Sequence, residues 1–390
     1  MITFDNTEIA FAGKNDRDLQ WTYRLFQLIG KPWLVKLSKV GTELAFKLKL
    51  PINGIIKKTI FKHFCGGESI DDCSRKIEEL AAFNIGTILD YSVEGKSTAG
   101  DLDRTRDEII ASITAAANSD SIPFAVFKVT GISKTDLLQK SNDGIVDLNA
   151  QEKEDMGMAM ARIDAICEAA YEAGIPVFID AEDSWFQKAI DRIAEAMMAK
   201  YNREKPIVYT TLQMYRHDRI AYLNQLKEDS IAANYYPGVK LVRGAYMEKE
   251  REKAEKEGYP SPIQPTKIAT DHDYNLAMKF LVENIDRFAI CAGTHNEDSS
   301  QYLIELMEKN NIAKDNPRVY FAQLLGMSDH ISYNVAYAGY NVAKYVPYGP
   351  IKEVMPYLLR RAQENTSVAG QMGRELSLIV KERKRRKLAK

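Results

Sequence analysis

Gly238-Val-Lys-Leu-Val-Arg-Gly-Ala-Tyr246 sets two cations, two glycines and an aromatic at what reads as the end of a β-strand. Side chains alternate across a strand, so Lys240, Val242 and Gly244 share one face while Leu241 and Arg243 share the other. Lysine is rarely buried without an anionic or electron-poor partner, so a Lys240 that faces a core implies something for it to meet. We place Lys240 inward, since Gly244 on its face would let a flat ligand approach the backbone. Arg243 is then expected to reach back over the strand end toward an anion. From this segment alone, a surface strand end with two solvated cations is the plain alternative.

Working outward, short apolar runs alternate with amphipathic stretches of helical length eight times, the runs being 85–91, 124–130, 176–181, 207–213, 239–245, 288–294, 319–325 and 342–347. The intervening helices are legible too. Asp183 is placed to cap a helix over 185–200, whose Phe186, Ile190, Ile193, Ala194 and Met197 recur at helical spacing. Eight strand–helix repeats predict an α/β fold, a (βα)8 TIM-type barrel. We expect a helical arm over 1–75, the barrel catalytic domain over 76–367 and a basic C-terminal helix or tail over 368–390. Barrels of this class work at the carboxyl ends of their strands. Those ends carry Asp90, Lys128 with Thr130, Asp180, Gln213, Lys240 with Arg243, Thr294 with His295, Gln323, and Tyr345.

In the arm, Trp21, Phe26, Ile29, Trp33, Val40, Leu44 and Phe46 interleave with basic residues around Pro32 and Pro51. From Arg24 to Lys62 nine Lys/Arg face a single Glu43, and residues 381–390 are again mostly basic. Such a pattern suits packing against the main domain or a surface that meets anionic lipid. Over the 390 residues the net charge is −1, which gives no global field to recruit nucleic acid. The cysteines Cys65, Cys73, Cys167 and Cys291 form no CxxC pair, which argues against a zinc ribbon and a disulfide framework. The N-terminus has no secretory pattern and no run reaches the ~20 apolar residues of a membrane span. This reading places the protein in the cytoplasm and leaves open a peripheral contact with the inner face of a membrane through arm and tail.

Two further constellations stand out. Tyr357, Arg360, Arg361 and Glu364 fall at i, i+3, i+4 and i+7, on one face of a helix that follows the eighth run. Paired guanidinium forks suit a carboxylate, although an exposed Arg–Glu surface pair has the same spacing. Thr294-His295-Asn296 precedes a helix start, whose free N–H groups suit an anion such as a pyrophosphate. The other histidines show no ligand spacing, so no metal is expected. No GxGxxG, GxxxxGK[ST] or GxSxG pattern is present, so any nucleotide cofactor is held by the barrel itself.

Taken together, the chain resembles the proline dehydrogenase family of flavin-dependent (βα)8 enzymes. The likeness runs over roughly 124–367 and is carried by 240–246, Gly293-Thr-His-Asn296, Phe321-Ala-Gln-Leu-Leu-Gly-Met327 and 345–365. It looks closer to the mitochondrial, single-activity type than to the large bifunctional bacterial enzymes, and too short to hold their aldehyde dehydrogenase half. The resemblance implies that Arg360, Arg361 and Lys128 hold the substrate carboxylate, with Asp180, Tyr345, Leu325 and Tyr357 lining the same pocket. It further implies an FAD held by Gln213, Lys240, Arg243, Thr266, Lys267, His295, Gln323 and Glu364, with Gly244, Ala245, Thr294 and Asn296 from the same motifs. Lys240 would lie nearest the reactive ring nitrogen, where some members carry arginine.

The expected activity is oxidation of L-proline to pyrroline-5-carboxylate, with electrons passed to a quinone. A hydroxyproline-preferring relative is the nearest rival, and Tyr345 is the residue expected to decide between the two. A lyase that uses Lys240 as a Schiff-base nucleophile is a second reading, since barrels host that chemistry as well. A binding module that grips anionic lipid or nucleic acid with its basic tail is a third.

Overall fold

The computed structural model describes residues 2–29, 53–93, 98–144, 148–367 and 371–388. The sequence readings of Pro32, Trp33, Val40, Leu44, Phe46 and Pro51, and those of the Ile29 and Glu364 side chains, lie outside what is described.

Eight strands, β1 Ile85–Tyr91, β2 Phe124–Phe127, β3 Val177–Ile179, β4 Val208–Gln213, β5 Gly238–Val242, β6 Ala289–Gly293, β7 Val319–Leu324 and β8 Val342–Tyr348, close into a barrel in chain order. Their pairing is parallel, and β1 meets β8 in register from Ile85↔Val342 to Tyr91↔Tyr348. All six residues of β4 and all seven of β8 are buried, as expected for strands covered on both faces.

The expected run over 124–130 is cut short. After Phe127 the chain enters a 3-10 turn over Val129–Gly131 led by Lys128, whose carbonyl accepts from the Gly131 N–H at 3.0 Å. Likewise β5 stops at Val242 and not at Ala245, because Gly244 turns the chain with φ +129°.

By contacts the chain divides into two compact units, Gly95–Ala322 and the combination of Met1–Glu94 with Gln323–Lys390. In the first, Phe124, Phe178, Tyr209 and Tyr320 from four strands cluster with centroids 4.4–5.7 Å apart, Phe124 stacked on Phe178 and the other pairs edge to face. Gly238 is required beside them: a Cβ there would lie 2.4 Å from the Tyr209 ring. The helix Ser184–Tyr201 starts one residue earlier than read, and Asp183 does not cap it with its side chain. The carboxylate that does so is Glu250, which accepts from the Ser184 N–H at 2.7 Å and from the Ser184 hydroxyl at 2.5 Å, while Asp183 takes the Lys249 ammonium at 2.7 Å.

The second unit joins the two ends of the chain. Phe26, 2 % exposed on the helix Asp16–Ile29, packs with Ala10, Phe11 and Leu19 against Leu378 and Ile379 of the helix Gln371–Arg385. Within the described residues, several cations of the basic run at the end have partners inside the chain. Arg385 and Arg386 both engage the buried Glu382, Arg386 also reaches the Phe11 and Lys14 carbonyls, and Arg383 lies 3.8 Å over the Tyr23 ring. Among the described residues no helix is long and apolar enough to cross a membrane.

Lys344, in the middle of β8, is fully buried; its ammonium donates to the Met327 carbonyl at 2.5 Å and pairs with Asp329 at 3.0 Å. Asp329 also pairs with Lys14 of the arm at 3.0 Å. Burial alone would raise the Asp329 carboxyl, but Lys14 and Lys344 outweigh it and hold the group well below the usual carboxylate range.

Next to this cluster His63 sits 2.9 Å from the Gly326 carbonyl, an acceptor only, so Nε2 carries the proton and donates. Burial, with help from Lys14, pushes the ring down to about 3. An unfolded histidine titrates near ~6.5. Between those two values the unfolded chain binds a proton that the folded one does not, so stability is expected to fall as pH drops from 6.5 toward 3. Denaturant midpoints at successive pH values check this. His63→Gln, which keeps an N–H for Gly326, should flatten that part of the profile; an unchanged slope would assign the acid loss to other groups.

Candidate active site

Lys240 faces inward, as its alternation predicts. It is 5 % exposed, its ammonium lies 4.9 Å over the Phe178 ring, and it makes a short ion pair with Asp180 Oδ1. Asp180 follows β3, and its other oxygen takes the Lys128 ammonium at 2.7 Å. One carboxylate thus joins the two lysines, from β5 and from the end of β2, that the sequence had placed in separate roles. Burial alone would raise the Asp180 carboxyl; the charges of Lys128 and then Lys240 outweigh it and hold the group ionised far below the usual range.

Arg243 leaves β5 on the opposite face and does find an anion, one the sequence reading missed. Nε donates to Asp271 at 2.6 Å, Nη1 to the Thr294 hydroxyl at 2.6 Å and Nη2 to the Ser299 hydroxyl at 2.9 Å, with the guanidinium 4.4 Å over the Tyr274 ring. Asp271 is shared with Lys267, which pairs with it at 2.5 Å from an exposed position. Thr266 caps the helix Lys267–Glu283, its hydroxyl accepting from the Ala269 N–H at 3.1 Å. Gly244 and Ala245 are exposed. The space a Cβ would need at Gly244 is taken by the Tyr215 ring, 2.5 Å away, so only a glycine lets the backbone pass that close to the ring.

At the end of β6, Asn296 caps the helix Glu297–Lys309 by accepting from the Ser299 N–H at 2.9 Å, and its own N–H donates to the Thr294 hydroxyl at 3.1 Å. Two N–H groups of that turn are therefore engaged, and its first two side chains, Glu297 and Asp298, are acidic, which weakens it as an anion seat. His295 beside it is partly buried. Gln213, at the end of β4, is 2 % exposed, and its Oε1 has no hydrogen-bond partner among the described residues. A buried amide acceptor left open in this way suits a ligand that offers an N–H.

In the unit formed by the chain ends, the Leu325 N–H donates to the Tyr345 carbonyl at 2.9 Å, and both side chains are buried. Gln323 accepts from the Ser332 hydroxyl at 2.8 Å. On the helix Ile351–Ser367, Tyr357 and Arg361 are buried, with the guanidinium 5.2 Å over the tyrosine ring, and Arg360 is partly buried. That spacing is the expected i, i+4 pairing, but on a helix packed from behind by Leu25, Ile56, Phe61 and Phe64 and not on an exposed surface.

Comparison with known proteins gives these residues a context. The family model described as proline dehydrogenase matches residues 73–374. The chain belongs to the proline dehydrogenase family. Proline dehydrogenase 1, mitochondrial, of Dictyostelium discoideum is 31% identical over 98% of this chain and 74% of that protein. The carbapenem antibiotics biosynthesis protein CarD of Pectobacterium carotovorum is 31% identical over 83% of each. Among solved structures, proline utilization A from Bdellovibrio bacteriovorus, inactivated by N-propargylglycine, superposes with a TM-score of 0.71 at 23% identity. That fold match covers 92% of this chain and 38% of the larger one.

Proposed function

We propose that the protein oxidises L-proline to pyrroline-5-carboxylate with FAD as cofactor and passes the electrons to a quinone. The observation that carries this reading is the Lys128–Asp180–Lys240 cluster at the carboxyl ends of three barrel strands, two cations on one buried carboxylate. Arg360, Arg361 and Lys128 hold the substrate carboxylate, a task suited to planar forks and a compact cation. Tyr345, Leu325 and Tyr357 supply apolar surface for the ring. The ring carbon next to nitrogen gives up a hydride, the amine loses a proton to water, and a C=N bond forms.

Gln213, Lys240, Arg243, Thr294, His295 and Asn296 would hold the flavin, with Gln323, Thr266, Lys267, Gly244, Ala245 and Glu364 as further contacts implied by the family resemblance. The open Gln213 oxygen fits the N–H of such a ring, and the Lys240 ammonium fits the negative charge that it gains. When bound, FAD accepts the two electrons. An ammonium held in an ion pair is a poor nucleophile, which speaks against the Schiff-base reading of Lys240. The basic tail adds little support for a membrane contact, because several of its charges are already engaged within the chain.

The test is the visible spectrum of purified protein before and after anaerobic L-proline, with hydroxyproline in a parallel cuvette. A flavin band that bleaches with proline is expected. Protein that stays colourless and inert after FAD is added back would overturn the proposal, and faster bleaching by hydroxyproline would hand it to the rival substrate.

A further inference from the structure

The sequence reading passed over Glu182, two residues beyond Asp180. Its side chain is buried, and both oxygens are turned to one residue: Oε1 accepts from the Thr130 N–H at 3.0 Å and Oε2 accepts from the Thr130 hydroxyl. Thr130 belongs to the 3-10 turn that Lys128 leads. Gripping Thr130 at two atoms therefore fixes the backbone from which the Lys128 side chain reaches Asp180. Glu182 is itself braced. Its N–H donates to Gln187 Oε1 at 2.7 Å, Gln187 Nε2 donates to Asp191 Oδ1 at 2.8 Å, and Asp191 Oδ2 takes Arg219 at 2.7 Å. The charged groups that act on the Glu182 carboxyl are Lys128 and Asp180.

We propose that Glu182 is a positioning residue for Lys128, holding its turn through Thr130 and setting the net charge that the Lys128–Asp180–Lys240 cluster offers to a carboxylate. This rests on the reading of Lys128 as part of the carboxylate clamp. With Glu182 neutral, the two lysines and Asp180 sum to one positive charge, which attracts an anion. With Glu182 ionised, the sum is zero. Burial pushes the Glu182 carboxyl up to about 7, against the pull of its Thr130 hydrogen bonds and of Lys128. Bound carboxylate and ionised Glu182 therefore oppose each other, and by linkage substrate affinity falls as pH rises through that value.

Glu182→Gln keeps the shape and an acceptor for the Thr130 N–H while deleting the titration. KM for L-proline is measured at pH 6 and pH 8 in both proteins and expressed as a wild-type to variant ratio, which cancels the titration of the substrate amine. That ratio is expected to rise about fivefold between the two pH values, with the kcat ratio flat. A KM ratio that stays flat overturns the proposal. A readout free of turnover accompanies it: the infrared difference spectrum between pH 6 and pH 8. It should show a protonated-carboxyl C=O band lost in the wild type and absent from the variant. Active protein in which that band is missing, or survives the substitution, overturns the proposal. Protein inert toward proline that nevertheless shows the band would sink the substrate reading and uphold the assignment of the proton to Glu182.

Discussion

Asp180→Asn is expected to lower kcat/KM for L-proline by about 10²–10³-fold, because it removes a carboxylate that ion-pairs with both lysines while keeping the side chain's shape. Stability should fall as well. Breaking a buried ion pair from one side costs about 3–5 kcal/mol, and we expect the lower end, since Lys128 keeps 20% of its side chain in solvent and can be rehydrated. The loss has a pH signature. A carboxylate held below its ordinary value contributes stability that is fully present above the unfolded value near ~3.9 and disappears as pH falls toward the folded one. The difference in unfolding free energy between wild type and variant should thus be level from pH 8 to 5 and shrink below pH 4. Denaturation at three pH values together with steady-state kinetics checks both parts; an Asn variant with wild-type turnover would remove Asp180 from the site.

The second large effect is expected at Arg361. Arg361→Lys keeps the charge but loses the planar fork and the stacking on Tyr357. If the guanidinium holds the substrate carboxylate, KM for proline should rise about 100-fold while kcat changes far less. The apolar cluster behind the helix is untouched by the change, so the melting temperature should move little. A KM within twofold of wild type would show that the carboxylate is held elsewhere.

How much of this was legible in the sequence depends on the range over which each signal acts. Strand positions were readable because apolar runs and intervening helical periods are local, and the alternation around Lys240 gave its facing correctly. The end of β2 was misplaced because Val129 and Thr130 are good strand formers; what coils the chain there is the distant Glu182. Partners far along the chain were invisible in the same way: Asp271 for Arg243 and Glu250 for the cap at Ser184. Lys344 could have been found, since a lysine inside the run 342–347 invites the question already asked of Lys240. Glu182 left a trace too, as a second acid beside Asp180 in Asp180-Ala-Glu182.

The seam between β1 and β8, and the docking of the last helix on the first two, also set a timetable. About 250 residues separate Tyr91 from Val342. At ribosomal speeds of about 5–20 residues per second, the β8-facing edge of β1 waits roughly ten seconds to a minute for that neighbour. The contiguous unit Gly95–Ala322 meets no such delay. The edge of β1 that faces β8 is therefore among the last seams to close, and the growing barrel carries that edge open until Val342–Tyr348 have left the tunnel.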